Sequence, residues 1–280
     1  MSHTSDQALR ALSEDGTFRI LVANTTHTAA GIIDAQSPAT DLRGTLADLT
    51  SAAVLLRLTM SPDNRLQAIL QNKEAGTIVC DTHPDGVTRG LVRSRQGESL
   101  QLGDGTFLSV HRTMFDGQVH QGVVETDAGQ SLADAITGYL DRSEQIASVV
   151  GLGHRFDGEE LTFAGGYVIQ IVPANDEEID QADLAFLTAR LQHRPPVDEL
   201  FDICEFDIEK VTGELFGPIE HQILGGDHFQ AGCICSPERI LQALSTLSEA
   251  DRQELKSGDE DLEISCEYCG TAHHISPDQL

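Results

Sequence analysis

Two pairs of cysteines near the C-terminus constrain this chain more than any other feature: Cys233-Ile234-Cys235 and, thirty residues later, Cys266-Glu267-Tyr268-Cys269. Each pair offers two thiolates at short reach, and the intervening segment has to fold back to bring the pairs together. That layout suits a tetrahedral four-sulfur site, with zinc as the expected ion. The first pair has one residue between its sulfurs where an ordinary zinc ribbon has two. A purely structural site has no need of that departure, whereas adjacent thiolates able to leave a metal and join each other suit a redox sensor. His273 and His274 follow closely enough to compete as ligands, although four thiolates already close a tetrahedron.

The surrounding module, residues 232–280, has few large apolar side chains. Ser236 is placed to cap a helix with Pro237 at its first position, and Ile240, Leu241, Leu244 and Leu247 give that helix one apolar face. Ser248 with Asp251 reads as a second helix start, Gly258 as its end, and Leu262-Glu263-Ile264 as a strand leading into the second cysteine pair. So short a module needs a staple. Structural zinc supplies roughly 10–16 kcal/mol, so loss of the metal is expected to unfold it.

Residues 1–175 read as a mixed sheet-and-helix body. Phe18–Ala23 looks like a buried strand, and Leu42, Leu46, Leu49, Ala53 and Leu56 mark an amphipathic helix over about 38–58. Short alternating runs follow at Arg65–Leu70, Thr77–Cys80, Val87–Val92, Thr106–Val110 and Val119–Val124, joined by Asp-Gly turns. A helix is expected over Ser131–Arg142, then strands at Ile146–Val150 and Tyr167–Val172. Helices interrupting mainly hairpin-linked strands predict an α+β fold.

Residues 176–231 change character. Between Asp176 and Glu220 lie thirteen acidic residues against Arg190, Arg194 and Lys210. Ile179, Ala182, Phe186, Leu187 and Leu191 form one helical stripe, and after Pro195-Pro196 come Leu200, Phe201 and Cys204, then Val211, Leu215 and Phe216. Thin apolar faces under like-charge repulsion predict metastable helices that fold only against a support; an ordinary solvated helical linker has the same composition. Cys204 reads as a small buried hydrophobe or, alternatively, a spare thiol for mixed disulfides. Cys80 lies in a core strand and is expected to be inert.

A formal net charge of −27 argues against nucleic acid as a partner, because phosphates are repelled by such a surface. An acidic, salt-adapted proteome would give the same balance. The N-terminus shows no signal-peptide pattern and no run of apolar residues is long enough to span a membrane, so a reducing cytoplasm is expected. There six cysteines favour metal ligation or redox sensing over stable disulfides. Catalysis is not expected: His27, His83, His111, His120 and His154 are scattered, no G-x-S-x-G motif accompanies them, and a thioredoxin-type C-x-x-C would lack the second pair.

The sequence resembles the heat-shock protein 33 family over nearly its whole length. The resemblance is carried by C-x-C followed some thirty residues on by C-x-x-C, with Ser236-Pro-Glu238-Arg239 directly after the first pair. Further landmarks run in order: Arg89-Gly90, Leu102-Gly103-Asp-Gly105, Tyr139 with Ser143-Glu144-Gln145, and Ala164-Gly165-Gly166 with Gln170 and Pro173. His273 stands where family members usually carry a tyrosine.

What the resemblance implies is an ATP-independent holdase chaperone. In its reduced form Cys233, Cys235, Cys266 and Cys269 would hold one zinc ion as thiolates. Oxidation would form the disulfides Cys233–Cys235 and Cys266–Cys269, release the ion, and open the 176–231 linker to expose surface for unfolded client proteins. The ring closed across a single residue is expected to be strained and easily reduced. The resemblance also implies a homodimer in the oxidised state, formed through the 1–175 core. The rival expectation is a protein-interaction adaptor with a static zinc ribbon, which would keep its metal under mild oxidant.

Overall fold

The computed structural model describes residues 6–94, 100–103, 105–172, 185, 189, 194–257 and 261–280. It divides into two units, Met1–Ala231 and Gly232–Leu280. In the first, strands β1 (Asp6–Ser13), β2 (Phe18–Asn24), β3 (Arg65–Asn72), β4 (Gly76–Thr82) and β5 (Val87–Ser94) are followed by β6 (Thr106–Thr113), β7 (Val119–Glu125), β8 (Ser148–Asp157), β9 (Glu160–Ile171) and β10 (His221–Ala231). They form one ten-stranded sheet in the order β7-β6-β3-β4-β5-β10-β1-β2-β9-β8. Every pairing is antiparallel except β10 with β5, which is parallel and rests on Gln230↔Val87 and Ala231↔Thr88.

Helices α1 (Thr26–Gln36), α2 (Thr40–Leu58) and α3 (Leu132–Glu144) pack on the sheet. α3 touches both end strands. Its Tyr139 crowds Gly122 of β7, and its Thr137 hydroxyl accepts a hydrogen bond from Val150 N–H of β8, so the sheet curls until its ends share one helix. The sequence predicts α2 as amphipathic, but from Leu49 to Leu58 every residue is buried. An all-round apolar helix belongs inside a core. The polar residues Thr50 and Ser51 are accommodated because their hydroxyls donate to the carbonyls of Leu46 (2.8 Å) and Ala47 (3.1 Å) one turn back. Leu42, Leu46, Leu55 and Leu56 then meet Leu66, Leu70, Ile78, Leu108 and Val168 from four strands.

The strands and helices predicted within 1–175 are all present, and the α+β class holds. Three elements of this unit escaped the pattern. β1 is broken by Arg10, α1 is built on the small residues Ala29 and Ala30 with only Ile32 and Ile33 to mark it, and β10 carries Gly225-Gly226. Tertiary pairing overrides propensity in each. The close fit of α1 explains one landmark glycine: a Cβ on Gly90 would lie 2.4 Å from Ile32 Cγ2.

The predicted stripe of Ile179, Ala182, Phe186, Leu187 and Leu191 lies outside the described residues. Beyond it come α4 (Val197–Ile203) and α5 (Ile208–Phe216). Their Leu200, Phe201, Cys204, Val211, Leu215 and Phe216 are all buried. They cover the sheet face opposite α2, against Leu9, Phe18, Ile20, Val22, Phe163 and Ile169. The β1–β2–β9 region is therefore apolar on both sides. After α5 the chain enters β10, which pairs along β1 from Phe229↔Asp6 to His221↔Ser13 and ends two residues before Cys233.

In the second unit α6 (Pro237–Leu244) is capped by Ser236, whose hydroxyl accepts from Arg239 N–H, and α7 (Glu249–Lys256) is capped likewise by Ser248. Both caps are as predicted, and Gly258 lies outside the described residues. β11 (Leu262–Ser265) pairs with β12 (Ala272–Ile275), the latter hidden in the sequence by His273-His274. Neither helix buries a residue, and Ile275 is the one fully buried hydrophobic side chain among the described residues of this unit.

Candidate metal centre

Cys233 and Cys235 lie on the extended segment between β10 and α6, and Cys266 and Cys269 lie in the turn joining β11 to β12. The hairpin register Ser265↔Ala272 fixes the turn's base. Within the turn Cys266 N–H donates to Thr271 O (2.9 Å) and Gly270 N–H to Cys266 O (2.7 Å), with Gly270 at φ +70 where glycine is unstrained. This closure aims both sulfurs of the second pair to the same side as the first.

Ligand atoms of all four cysteines fall within 4.8 Å of one another. The Cys233–Cys266 sulfurs are 3.7 Å apart and the Cys235–Cys269 sulfurs 3.5 Å. Four sulfurs around one ion at the usual zinc–sulfur bond length stand about 3.8 Å apart, so the cluster has the dimensions and donor chemistry of such a site. Among the described residues it is the one group of three or more His, Cys, Asp or Glu side chains drawn together in this way.

The thiols are unequal. Burial pushes Cys235 up strongly, and hydrogen bonding with Cys269, Cys233 and Cys266 adds to it. Burial also raises Cys266, outweighing the backbone N–H groups of Tyr268 and Cys269 that stabilise its thiolate. At Cys269 burial is overcome by the Thr271 hydroxyl (3.2 Å) and backbone N–H, and its thiol is lowered to about 7. Crowded thiols that resist ionising together are what a bound cation would hold as thiolates.

The sequence left open whether His273 joins the ligands. Its Nε2 lies 3.3 Å from Cys235 Sγ, at hydrogen-bonding distance beside the cluster. Thr271 was missed, although a hydroxyl two residues after the last cysteine was visible in the sequence. Cys80 and Cys204 lie away from the cluster. Cys80 is buried with its thiol pushed up to about 12 by burial. Cys204, the C-cap of α4, is buried, and its thiol is raised by burial and then by Glu214. The histidines fall to separate partners: His27 to Asp6, His83 to Asp81 and His154 to Asp48.

Fold and site together define a curled-sheet α+β protein carrying a four-thiol, metal-type cluster on a small module with almost no apolar core. The family model described as Hsp33 protein matches residues 6–276, and the chain belongs to the Hsp33 family. It is 25% identical to the 33 kDa chaperonin of Streptococcus gordonii over 288 residues, covering 98% of this chain and 97% of that one. The 33 kDa chaperonin of Streptococcus sanguinis matches to the same extent. In fold it is similar to the crystal structure of the 33 kDa chaperonin (heat shock protein 33 homolog) of Thermotoga maritima, with a TM-score of 0.80 at 17% identity over 98% of this chain and 96% of that one. The family is one of chaperones and not of enzymes. No helix among the described residues is long and apolar enough to cross a membrane.

Proposed function

We propose that this chain is a cytoplasmic, redox-regulated, ATP-independent holdase that is silent when reduced and binds unfolding proteins when oxidised. The observation that carries this reading is the pairing of a nearly coreless four-thiol module with a preceding segment whose helices cover an apolar sheet face. A zinc ion bound by Cys233, Cys235, Cys266 and Cys269 would keep the sulfurs as thiolates and supply the stability that the module's side chains do not. Residues 1–175 act as the core, 176–231 as the linker and 232–280 as the sensor.

Under peroxide, a cysteine thiolate attacks the O–O bond and becomes a sulfenic acid as hydroxide leaves. A neighbouring thiolate then attacks that sulfur, forming S–S and expelling a second hydroxide. Each disulfide thus takes two electrons from the protein to one peroxide. The pairings proposed are Cys233–Cys235 and Cys266–Cys269. Two close sulfur approaches in the cluster run across the pairs, Cys233 to Cys266 at 3.7 Å and Cys235 to Cys269 at 3.5 Å, so the sulfurs turn toward their sequence neighbours as the site opens. Four sulfurs tied in two bonds no longer hold the module together, and β10, two residues upstream of Cys233, loses its anchored end. Release of α4 and α5 then bares Leu9, Ile20 and Ile169 together with the helices' own Leu200, Phe201 and Phe216. That surface suits apolar segments of unfolded clients. The oxidised, active form is a homodimer joined through the core.

Light scattering from a heat-denatured client tests this. Suppression by peroxide-treated protein, reversed by dithiothreitol and absent with the zinc-loaded reduced protein, is expected. Equal suppression in both states would overturn redox gating, and none in either would favour the static adaptor.

A further inference from the structure

α4 has seven residues, and its first position follows Pro196, which provides no side-chain cap. So short a helix does not stand alone. Leu200 and Phe201 bury one side of it, but its outer side carries Asp198 and Asp202, one turn apart. Asp198 lies in the first turn, where the helix dipole favours an anion. Asp202 lies in the last turn, where the dipole opposes one. No basic residue occupies that turn to offset it.

β8 answers both needs. Gly153 and Arg155 share one face of the strand by alternation. A Cβ on Gly153 would come within 2.9 Å of Val197 Cβ and 3.4 Å of Asp198 N, so the bare backbone there is the seat for the start of α4. Two residues on, the Arg155 guanidinium grips Asp202 with both arms, Nη1 to Oδ2 at 2.5 Å and Nη2 to Oδ1 at 2.9 Å, with Asp198 Oδ2 3.9 Å from Nη1. A two-point fork fixes orientation as well as attraction. The pair is open to solvent, with 37% of the Arg155 side chain and 43% of Asp202 exposed. It can therefore form and break without disturbing the core.

We propose that Arg155 is an ionic latch that holds α4 on β8 and sets how readily α4 leaves the sheet. This deepens the redox-holdase reading and rests on it. Cysteine oxidation removes the anchor downstream of β10, and the latch decides how much further opening follows. Because the pair is exposed, the setting responds to ionic strength.

The test is hydrogen–deuterium exchange on the full-length, zinc-loaded, reduced protein without client, read at the amides of Val197–Ile203. R155Q is expected to speed exchange there roughly threefold to fivefold, the upper range for an exposed ion pair, with no change in α2. D202N should act in the same direction. The double variant should exceed neither single by much, because both remove one interaction. About 0.5 M salt should shrink the difference between wild type and R155Q. Wild-type exchange in both single variants, or simply additive effects in the double, would overturn the latch. Failure of the holdase reading would look different: an intact latch in exchange, with no client protection after oxidation.

Discussion

The two units reach order by opposite routes. In Met1–Ala231, α2 is buried through ten successive residues and the β1–β2–β9 region is packed on both faces, so removal of apolar surface from water suffices to hold the fold. In Gly232–Leu280 two well-capped helices bury nothing, and four sulfurs sit where a core would be. On the proposed function this contrast makes part of the chain conditional. A fold held by hydrophobic burial would survive oxidants, whereas one held by metal-bound thiolates would not.

Removing the metal should break the comparison most visibly. Chelation, or Cys266→Ser, is expected to cost the second unit roughly 10–16 kcal/mol. Amide protection across α6 and α7 should disappear while α2 stays protected; protected helices in the metal-free protein would mean the module has a core of its own.

Next in size is Asp81, fully buried between strands. It accepts from Arg65 Nε (2.6 Å) and Nη2 (2.7 Å) and from Arg89 Nε (2.9 Å), with His83 Nε2 at 3.3 Å. Burial alone would raise its carboxyl, but hydrogen bonds from His83 and Arg65 hold it far below the usual range. Its stabilisation is therefore present above the ordinary aspartate value and lost as pH falls through the lower folded one. Asp81→Asn removes the buried carboxylate that Arg65 and Arg89 share and should cost the first unit about 3–5 kcal/mol. Urea titration of that unit checks this, with metal affinity of the second unit expected to stay constant.

Leu55→Ala in α2 should cost about 2–5 kcal/mol, since Leu55 is wholly buried. Leu241→Ala on the half-exposed α6 should shift the second unit's own urea midpoint by little. Equal losses would erase the distinction between the units.

The smallest effect concerns pH. The hydrogen bond to Asp48 (2.8 Å) raises His154 against desolvation, with the Asp48 and Asp198 charges adding to it. A raised folded value means stabilisation that is complete below the ordinary histidine value and lost as pH rises through the folded one. His154→Gln should therefore cost more at about pH 6 than at about pH 9, by ~1 kcal/mol or less for a partly exposed pair. A cost that grows with pH would reverse the sign and exclude the protonated pair.

Much of this was legible in the sequence, for a physical reason. The cysteine quartet, the Ser236 and Ser248 caps and the alternating strands from Arg65 to Val124 are local signals, written in spacings of a few residues. What stayed hidden depends on distant partners. β10 is a strand because β1 lies beside it, in spite of Gly225-Gly226. α2 is enclosed on all sides from Leu49 to Leu58 because the sheet curls, which a stripe of five residues does not reveal. The His273 contact to Cys235 and the fork of Arg155 on Asp202 join residues far apart in sequence.

The most direct test compares hydrogen–deuterium exchange of the reduced, zinc-loaded protein with that of the peroxide-treated protein. Protection should vanish in α6 and α7 and also in α4 and α5, while α2 and β9 keep theirs. If α4 and α5 remain as protected as α2 after the four cysteines are oxidised, the thiol cluster does not govern the helices that cover the sheet, and the central claim is wrong.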